Sequence, residues 1–147
     1  MGTVEEKNKE LVRRYCELWS QHELDAANEI ISPSCFRKDF TWEQNKQLDN
    51  MIFKAFPDVK MIIVDMIAEG DKVAAIRNIT GTHTGEPYMG IPPTGKKLDI
   101  TGTNIGRIVD NKIVENRGTS NQMGWWQQLG VLPSTEEIIK AYKDSHI

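Results

Sequence analysis

The sequence predicts an α+β fold in which helices come first and an antiparallel sheet follows. Before Pro57, apolar residues recur at helical spacing; after it, β-rich runs alternate with short turn signals. Strands and helices do not alternate, which argues against a doubly wound sheet. A chain of 147 residues is long enough to bury the core of one domain. With no internal repeat or linker, residues 1–147 are interpreted as a single domain.

The helical half contains three predicted helices. Residues 4–20 form an amphipathic helix, and Thr3 with Glu6 is suited to a capping box at its start. A short helix is predicted over residues 23–31, before Ser32 and Pro33. A third, residues 42–56, is stopped by Pro57.

The second half contains four predicted strands, over residues 59–68, 73–84, 97–109 and 112–121. Gly70-Asp71 and Asp110-Asn111 are the turn signals of two hairpins. Residues 85–96, rich in glycine and proline, form a loop. A short helical closure is predicted over residues 123–129, and a last helix over 134–144.

Composition excludes several classes of function. The formal net charge is −3 and no basic stripe is present, so nucleic acid is not an expected partner. No apolar run is long enough to span a bilayer, and the N-terminal residues lack the apolar core of a signal peptide. We therefore expect no membrane association and a cytoplasmic location.

Cysteine and histidine usage predicts neither a disulfide nor a metal site. Cys16 and Cys35 lie in different predicted elements, and free buried thiols are expected in a reducing compartment. His22, His83 and His146 are far apart and show no metal-ligand spacing.

The last hairpin predicts a polar sheet face. A two-residue turn at Asp110-Asn111 would place Asn104 opposite Arg117, Gly102 opposite Thr119 and Ile100 opposite Asn121. In that register one face carries four polar side chains, those of Glu115, Arg117, Thr119 and Asn121. Such a face either meets water or lines a cavity, and a β-bulge in the pair would shift the set.

The second strand predicts a further mixed face. Arg77, Ile79, Gly81 and His83 share it by alternation. Two interpretations of His83 remain open: a strand-end side chain that bonds the backbone near Gly85, or a catalytic group that moves protons near neutral pH.

An ordered set of segments resembles the SnoaL-like polyketide cyclase family, within the ketosteroid isomerase and nuclear transport factor 2-like superfamily. The similarity covers most of the chain. Its segments are ELW at 17–19, FPD at 56–58, AEGDKV at 68–73, GTHTGE at 81–86, GIPPTG at 90–95, RIVDNKIVE at 107–115 and QLG at 128–130.

The resemblance implies helices packed on a strongly curved, mainly antiparallel sheet that forms a cone with an internal pocket. It also implies a cyclase, isomerase or lyase that needs no cofactor and acts on a hydrophobic, oxygenated, polyketide-like small molecule. A homodimer formed by packing sheet faces is implied as well, with Ile105, Val114 and the tryptophan pair on the shared surface.

The chain departs from the family pattern on its last strand. Asn121 stands where an acid–base aspartate is expected, and Arg117 stands where a tryptophan is expected. A neutral amide is a poor proton acceptor but can donate a hydrogen bond to an enolate oxygen. The candidate catalytic residues are Asn121, His83, Arg117, Glu115 and Asp39, with His83, Asp39 or Glu115 as the proton acceptor.

Aromatic and polar residues complete the expected pocket. The candidate substrate-binding residues are Trp42, Tyr88, Asn104, Thr119, Trp125 and Trp126, of which at least one of the paired tryptophans is expected to pack in the core or a dimer interface. Two other functions remain open on the same scaffold: a small-molecule-binding domain without catalysis, and a hydrolase of the epoxide-opening kind.

Overall fold

The computed structural model describes residues 2–33 and 40–146. Its four helices are α1 (Val4–Ser20), α2 (Trp42–Ala55), α3 (Gln122–Gln128) and α4 (Thr135–Ser145), and its strands are β1 (Lys60–Glu69), β2 (Lys72–Thr82), β3 (Lys97–Val109) and β4 (Lys112–Ser120). Residues Leu24–Glu29 form a 3₁₀ helix in place of the predicted short α-helix. The predicted helices and strands are otherwise confirmed, with ends that differ by at most two residues.

Side-chain caps fix where the helices begin. The Thr3 hydroxyl accepts from the Glu6 amide at 3.1 Å, as the sequence predicts for the start of α1. Full capping boxes start the other long helices, Thr41 with Gln44 at α2 and Ser134 with Glu137 at α4.

The four strands form one antiparallel sheet in the order β1-β2-β3-β4, which is curled but not closed. Asp110 and Asn111 have φ values of 50° and 61°, as a two-residue hairpin turn requires, and Val109 lies opposite Lys112 as predicted. Gly70, with φ 59°, occupies the corresponding turn between β1 and β2.

The predicted register beyond that turn is wrong, because a β-bulge interrupts the β3–β4 pair. Ile108 lies opposite Ile113, but Arg107 lies opposite Glu115, so Val114 is the extra residue. Asn104 consequently faces Gly118 rather than Arg117. Because side chains alternate, this one-residue slip exchanges the two faces of β4.

The core lies between one face of the sheet and the helices. Trp19 of α1 packs edge-to-face on Phe53 of α2, with ring centroids 4.9 Å apart. Phe56 and Val59, where the chain leaves α2 for β1, are 0% and 1% exposed. On β2 the inward positions include Val73, Ala75, Arg77 and Ile79, so the predicted shared face of this strand is confirmed.

The predictions of free buried thiols and of no metal site can be compared with the structure only over the residues that it describes. Cys16 is a free, buried thiol, as predicted, and burial raises its pKa to about 11. Cys35 lies outside the described residues. Within residues 2–33 and 40–146, no three His, Cys, Asp or Glu side chains are grouped so as to hold a metal ion. None of the described helices has the length and apolarity needed to cross a bilayer.

Candidate active site

A cavity of about 410 Å³ lies between the sheet and the helices α1 and α2. This volume is in the range of small-molecule sites. Its walls are mainly apolar and aromatic, and include Val12, Tyr15, Trp19, Ile52, Met61, Val73, Ile79, Tyr88, Ile113 and Trp125. Among the described residues that line it, Asp49 and Arg77 are the two that carry a formal charge.

Asp49 places a carboxyl group in this apolar surrounding. It lies on α2 one turn after Asn45, whose amide nitrogen donates to Asp49 Oδ2 at 2.8 Å. The Trp19 side chain also donates a hydrogen bond to this carboxyl. Burial dominates these contacts and raises the pKa of Asp49 from 3.8 to about 6, while the hydrogen bonds and the charge of Arg77 oppose the rise.

A carboxyl group with that pKa exchanges protons readily near neutral pH. It is ionised often enough to accept a proton and basic enough to hold one, which is the balance that general acid–base catalysis needs. Asp49 is half-buried because it borders the open cavity, so a ligand in the cavity can reach it.

Arg77 places a guanidinium group on the central strand β2, between the inward residues Ala75 and Ile79. Its Nε donates to Asn104 Oδ1, and Nη1 lies 3.8 Å from the Met61 sulfur. Burial lowers the pKa of Arg77, although a guanidinium stays protonated. None of the ion pairs among residues 2–33 and 40–146 includes Arg77, so its charge is available to a ligand.

Two asparagine side chains extend the hydrogen bonding of Arg77 across the sheet. Asn104 on β3 accepts from Arg77 and donates through Nδ2 to Asn116 Oδ1 on β4, at 2.8 Å. Because Arg77 donates to the Asn104 oxygen, the side-chain amide of Asn104 is held in one orientation. The β-bulge brings Asn116 into this network, since the slipped register turns Asn116 to the cavity.

Aromatic side chains form another part of the cavity. Tyr88 and Trp125 border it with ring centroids 5.9 Å apart, and Phe56 packs edge-to-face on both rings from behind. Burial, with the nearby charge of Asp49, raises the pKa of Tyr88, so its hydroxyl stays neutral.

The predicted substrate-binding residues divide between the cavity and the core. Tyr88, Asn104, Thr119 and Trp125 line the cavity, whereas Trp126 stacks outside it on Tyr88 with ring centroids 5.8 Å apart. Trp42 is buried elsewhere, where its indole nitrogen donates to Asn28 Oδ1 at 2.7 Å.

His83 is fully buried and holds the loop that follows β2. Its Nε2 lies 3.3 Å from the Glu86 carbonyl oxygen, and its Nδ1 lies 3.3 Å from the Thr94 amide nitrogen. The ring also stacks on Phe56 at 4.9 Å. These backbone contacts match the structural interpretation of His83, which is not among the described residues that line the cavity.

Asn121 caps α3. Its side-chain oxygen accepts from the Gly124 amide at 2.8 Å, and the residue is exposed. It is not among the described cavity-lining residues.

Glu115 and Arg117 lie on the opposite face of β4 from Asn116. Glu115 pairs with Arg107 at 3.7 Å, and Arg117 is exposed beside Ile105. The bulge is the reason that these two side chains miss the cavity. Asp39 lies outside the described residues.

Sequence reasoning missed Asp49 and did not assign Arg77 a function, although both leave a signal. Trp42, Lys46, Asp49 and Phe53 follow one another at helical spacing, and the first, second and fourth are buried. An acid on such a stripe is unusual unless it is bonded or functional. Arg77 is equally unusual on an inward strand face between Ala75 and Ile79.

The curled antiparallel sheet with helices over an internal cavity defines the cone class shared by ketosteroid isomerase and nuclear transport factor 2-like proteins. The family model for SnoaL-like polyketide cyclase matches residues 9–129. The chain therefore belongs to the SnoaL-like polyketide cyclase family.

Solved structures agree with this assignment. AclR from Streptomyces galilaeus, provisionally a hydroxylase, is 25% identical, with a TM-score of 0.83 over 97% of this chain and 92% of its own. IdmH from Streptomyces antibioticus, provisionally a polyketide cyclase, is 25% identical, with a TM-score of 0.74 over 84% of this chain and 99% of its own. A provisional SnoaL-like polyketide cyclase from Jannaschia sp. CCS1 shares the fold, with 21% identity and a TM-score of 0.76 over 90% and 98% of the two chains. No curated protein sequence matches this chain.

Proposed function

We propose that this protein is a cofactor-independent cyclase or isomerase in which Asp49 transfers a proton on a hydrophobic, oxygenated, polyketide-like small molecule. The observation that carries the proposal is the position of Asp49. Its carboxyl borders an apolar cavity, and burial raises its pKa to about 6.

The reaction assigns one role to each charged group. The Asp49 carboxylate accepts a proton from a carbon next to a ketone, and the electron pair of that C–H bond moves into the carbonyl to give an enolate. Arg77 then stabilises the enolate oxygen, because its guanidinium is fixed by Asn104 and carries no competing ion pair among the described residues. Protonated Asp49 returns the proton, either to carbon in an isomerisation or to the oxygen formed when the enolate carbon attacks a second carbonyl.

The cavity walls favour an apolar frame for this ligand. Aromatic and aliphatic side chains surround the two charged groups and keep the local dielectric constant low. The electrostatic attraction between Arg77 and an enolate is therefore stronger than in water. A hydrolase with paired carboxylates is less well supported, since Asp49 is the one acid among the described lining residues.

The test is proton exchange on a ketone of suitable size. Incorporation of deuterium at the α-carbons of 2-tetralone in D₂O is followed by ¹H NMR for wild type and Asp49→Asn. General acid–base catalysis contributes roughly 10²–10⁴-fold, so the variant should lose at least about 100-fold of the enzyme-dependent rate. Asp110→Asn, the same chemical change at an exposed turn, should leave the rate within about twofold.

Two results would count against this function. An Asp49→Asn variant as fast as wild type would mean that another base acts. A wild-type protein that binds 2-tetralone in an NMR titration, yet exchanges its protons no faster than buffer, would support a binding domain without catalysis.

We also propose that the protein is a cytoplasmic homodimer that pairs the outer faces of two sheets. The outer face carries exposed apolar side chains on three strands, those of Ile62, Ile67, Ile76 and Ile105. The tryptophan pair does not belong to it, because Trp125 is buried at the cavity and Trp126 stacks on Tyr88. Ile76→Glu should convert a dimer into a monomer in light scattering; a wild-type monomer would contradict the proposal.

A further inference from the structure

Three polar side chains on the inner face of the sheet form a hydrogen-bonded chain that runs in one direction. Arg77 Nε donates to Asn104 Oδ1, and Asn104 Nδ2 donates to Asn116 Oδ1 at 2.8 Å. A guanidinium has donors only, so it must face the oxygen of Asn104, and the nitrogen of Asn104 is left to face the oxygen of Asn116. Arg77 thereby orients both amides, and the chain ends at the side-chain nitrogen of Asn116.

Glycines on the neighbouring strands leave room for these three side chains. Each of the three has a glycine as a cross-strand partner, and the pairs are Arg77 with Gly102, Asn104 with Gly118 and Asn116 with Gly106. The space is tightest at Gly118, where an added Cβ would lie 2.6 Å from Asn104 Nδ2. A side chain at position 118 would therefore displace the Asn104 amide from its two partners.

The nitrogen at the end of the chain is free to bind a ligand. Within residues 2–33 and 40–146, no group accepts a hydrogen bond from Asn116 Nδ2. Asn116 is half-buried and lines the cavity. Over the same residues, the buried side-chain polar atom without a partner is Trp125 Nε1, so Asn116 Nδ2 keeps accessible surface. A ligand in the cavity can therefore reach this donor.

We propose that Asn116 is a specificity-determining residue whose side-chain N–H donates to a neutral oxygen of the ligand. This inference rests on the proposed function and adds a second polar contact to it. Arg77 binds the oxygen on which negative charge develops. Asn116 binds an oxygen that stays neutral, because an amide N–H is an uncharged donor.

The separation of the two donors restricts the size of the ligand. Asn104 and two hydrogen bonds lie between the guanidinium and the Asn116 nitrogen, and β2 and β4 are two strand spacings, or about 10 Å, apart. One six-membered ring is too short to reach both donors. The substrate class is then a largely apolar compound of two or three fused rings, with a reacting ketone at one end and a carbonyl or hydroxyl oxygen at the other.

The experiment compares two ligands of nearly equal shape in the intact chain. The probes are 6-acetyl-2-tetralone, which has an oxygen at each end, and 6-isopropenyl-2-tetralone, in which a CH₂ group replaces the acetyl oxygen. Dissociation constants are measured by NMR titration for wild type, Asn116→Leu and Asn78→Leu. Leucine keeps the approximate size of asparagine and removes its N–H groups. Asn78 is the matched control because it lies on the other face of β2, where it bonds Asp99 and Thr101.

Wild type should bind the diketone about tenfold more tightly than the alkene, which is the usual contribution of one hydrogen bond. Asn116→Leu should reduce this preference to about twofold or less, and Asn78→Leu should keep it. In wild type, a side-chain amide proton of Asn116 should also shift downfield with the diketone and not with the alkene. A wild type without the preference, or an Asn116→Leu variant that retains it, would overturn the assignment.

Gly118→Ala tests the orientation of Asn116 without changing Asn116 itself. The added methyl group displaces the Asn104 amide, so the asparagine at the end of the chain is no longer held with its nitrogen toward the ligand. The diketone preference should fall to about threefold or less on this basis. A Gly118→Ala variant that keeps the full preference would contradict the role of the hydrogen-bonded chain.

The outcome is separable from that of the proposed function. Asp49→Asn removes proton exchange in the proposed reaction but leaves the diketone preference, because the preference measures binding at Asn116. Loss of preference in Asn116→Leu with no effect of Asp49→Asn on exchange would retain the Asn116 contact and reject Asp49 as the base.

Discussion

Replacing Asp49 with asparagine should stabilise the protein in a pH-dependent way. The native carboxyl has a pKa of about 6 against 3.8 for an unperturbed group, so the folded state holds its proton more tightly than the unfolded state. Below the unfolded value this difference contributes fully to stability; as the pH rises through the folded pKa, the contribution is lost. Ionised Asp49 therefore opposes folding above pH 6, and a neutral amide does not.

The pKa difference sets the size of the effect. A shift from 3.8 to about 6 corresponds to at most about 3 kcal/mol, since one pKa unit is about 1.4 kcal/mol. Water in the open cavity screens the charge, so we expect about 1–3 kcal/mol. Any pH-independent effect of the amide itself adds a constant and does not alter the trend.

The assay is urea unfolding at a series of pH values for wild type, Asp49→Asn and Asp110→Asn. The difference in unfolding free energy between Asp49→Asn and wild type should grow from about pH 4 to pH 7 and then level off. For Asp110→Asn it should stay flat. A flat difference for Asp49→Asn, or one that falls with pH, would refute the claim that burial raises the pKa of this carboxyl.

Further predictions concern the neighbouring charge, the last strand and the packing of one glycine. Arg77→Gln should move the midpoint of the pH–rate profile for proton exchange upward, because the charge of Arg77 lowers the pKa of Asp49; an unchanged midpoint would contradict the coupling. Asn121→Asp should leave exchange within about twofold, whereas Asn121→Ala should lower the unfolding free energy by about 1 kcal/mol through loss of the α3 cap; a gain of exchange in the Asp variant would instead assign the base to position 121. Gly85→Ala should lower the unfolding free energy by more than about 2 kcal/mol, because its Cβ would lie 1.9 Å from a backbone carbonyl oxygen, while Gly106→Ala, with its nearest atom at 3.7 Å, should be tolerated in the same urea assay.

The elements of the fold follow from local signals in the sequence. Thr3, Pro57 and Asp110-Asn111 act within a few residues of themselves, and each marks a boundary that the structure contains. The segments that resemble the SnoaL-like family predicted the cone shape of the sheet, which hydrophobic periodicity alone does not specify.

The site was harder to predict, because it depends on a bulge and on long-range contacts. The extra residue Val114 turns Asn116 inward and Arg117 outward, and no residue in RIVDNKIVE marks a bulge. Asn104 lines the cavity because it lies on β3 rather than on the slipped strand, and its role in substrate binding stays a prediction. Asp49 was missed because a single acid on an amphipathic helix resembles an ordinary surface residue until the cavity is seen beside it.

Titration of the Asp49 carboxyl itself tests the proton-transfer role of this residue most directly. In protein labelled with ¹³C at the aspartate Cγ, the Asp49 resonance is assigned by its absence from Asp49→Asn and followed from pH 3 to 8. We expect a midpoint of about 6, which rises further in Arg77→Gln. A midpoint near the ordinary value of 3.8 would mean that burial does not tune Asp49 for proton transfer in this cavity.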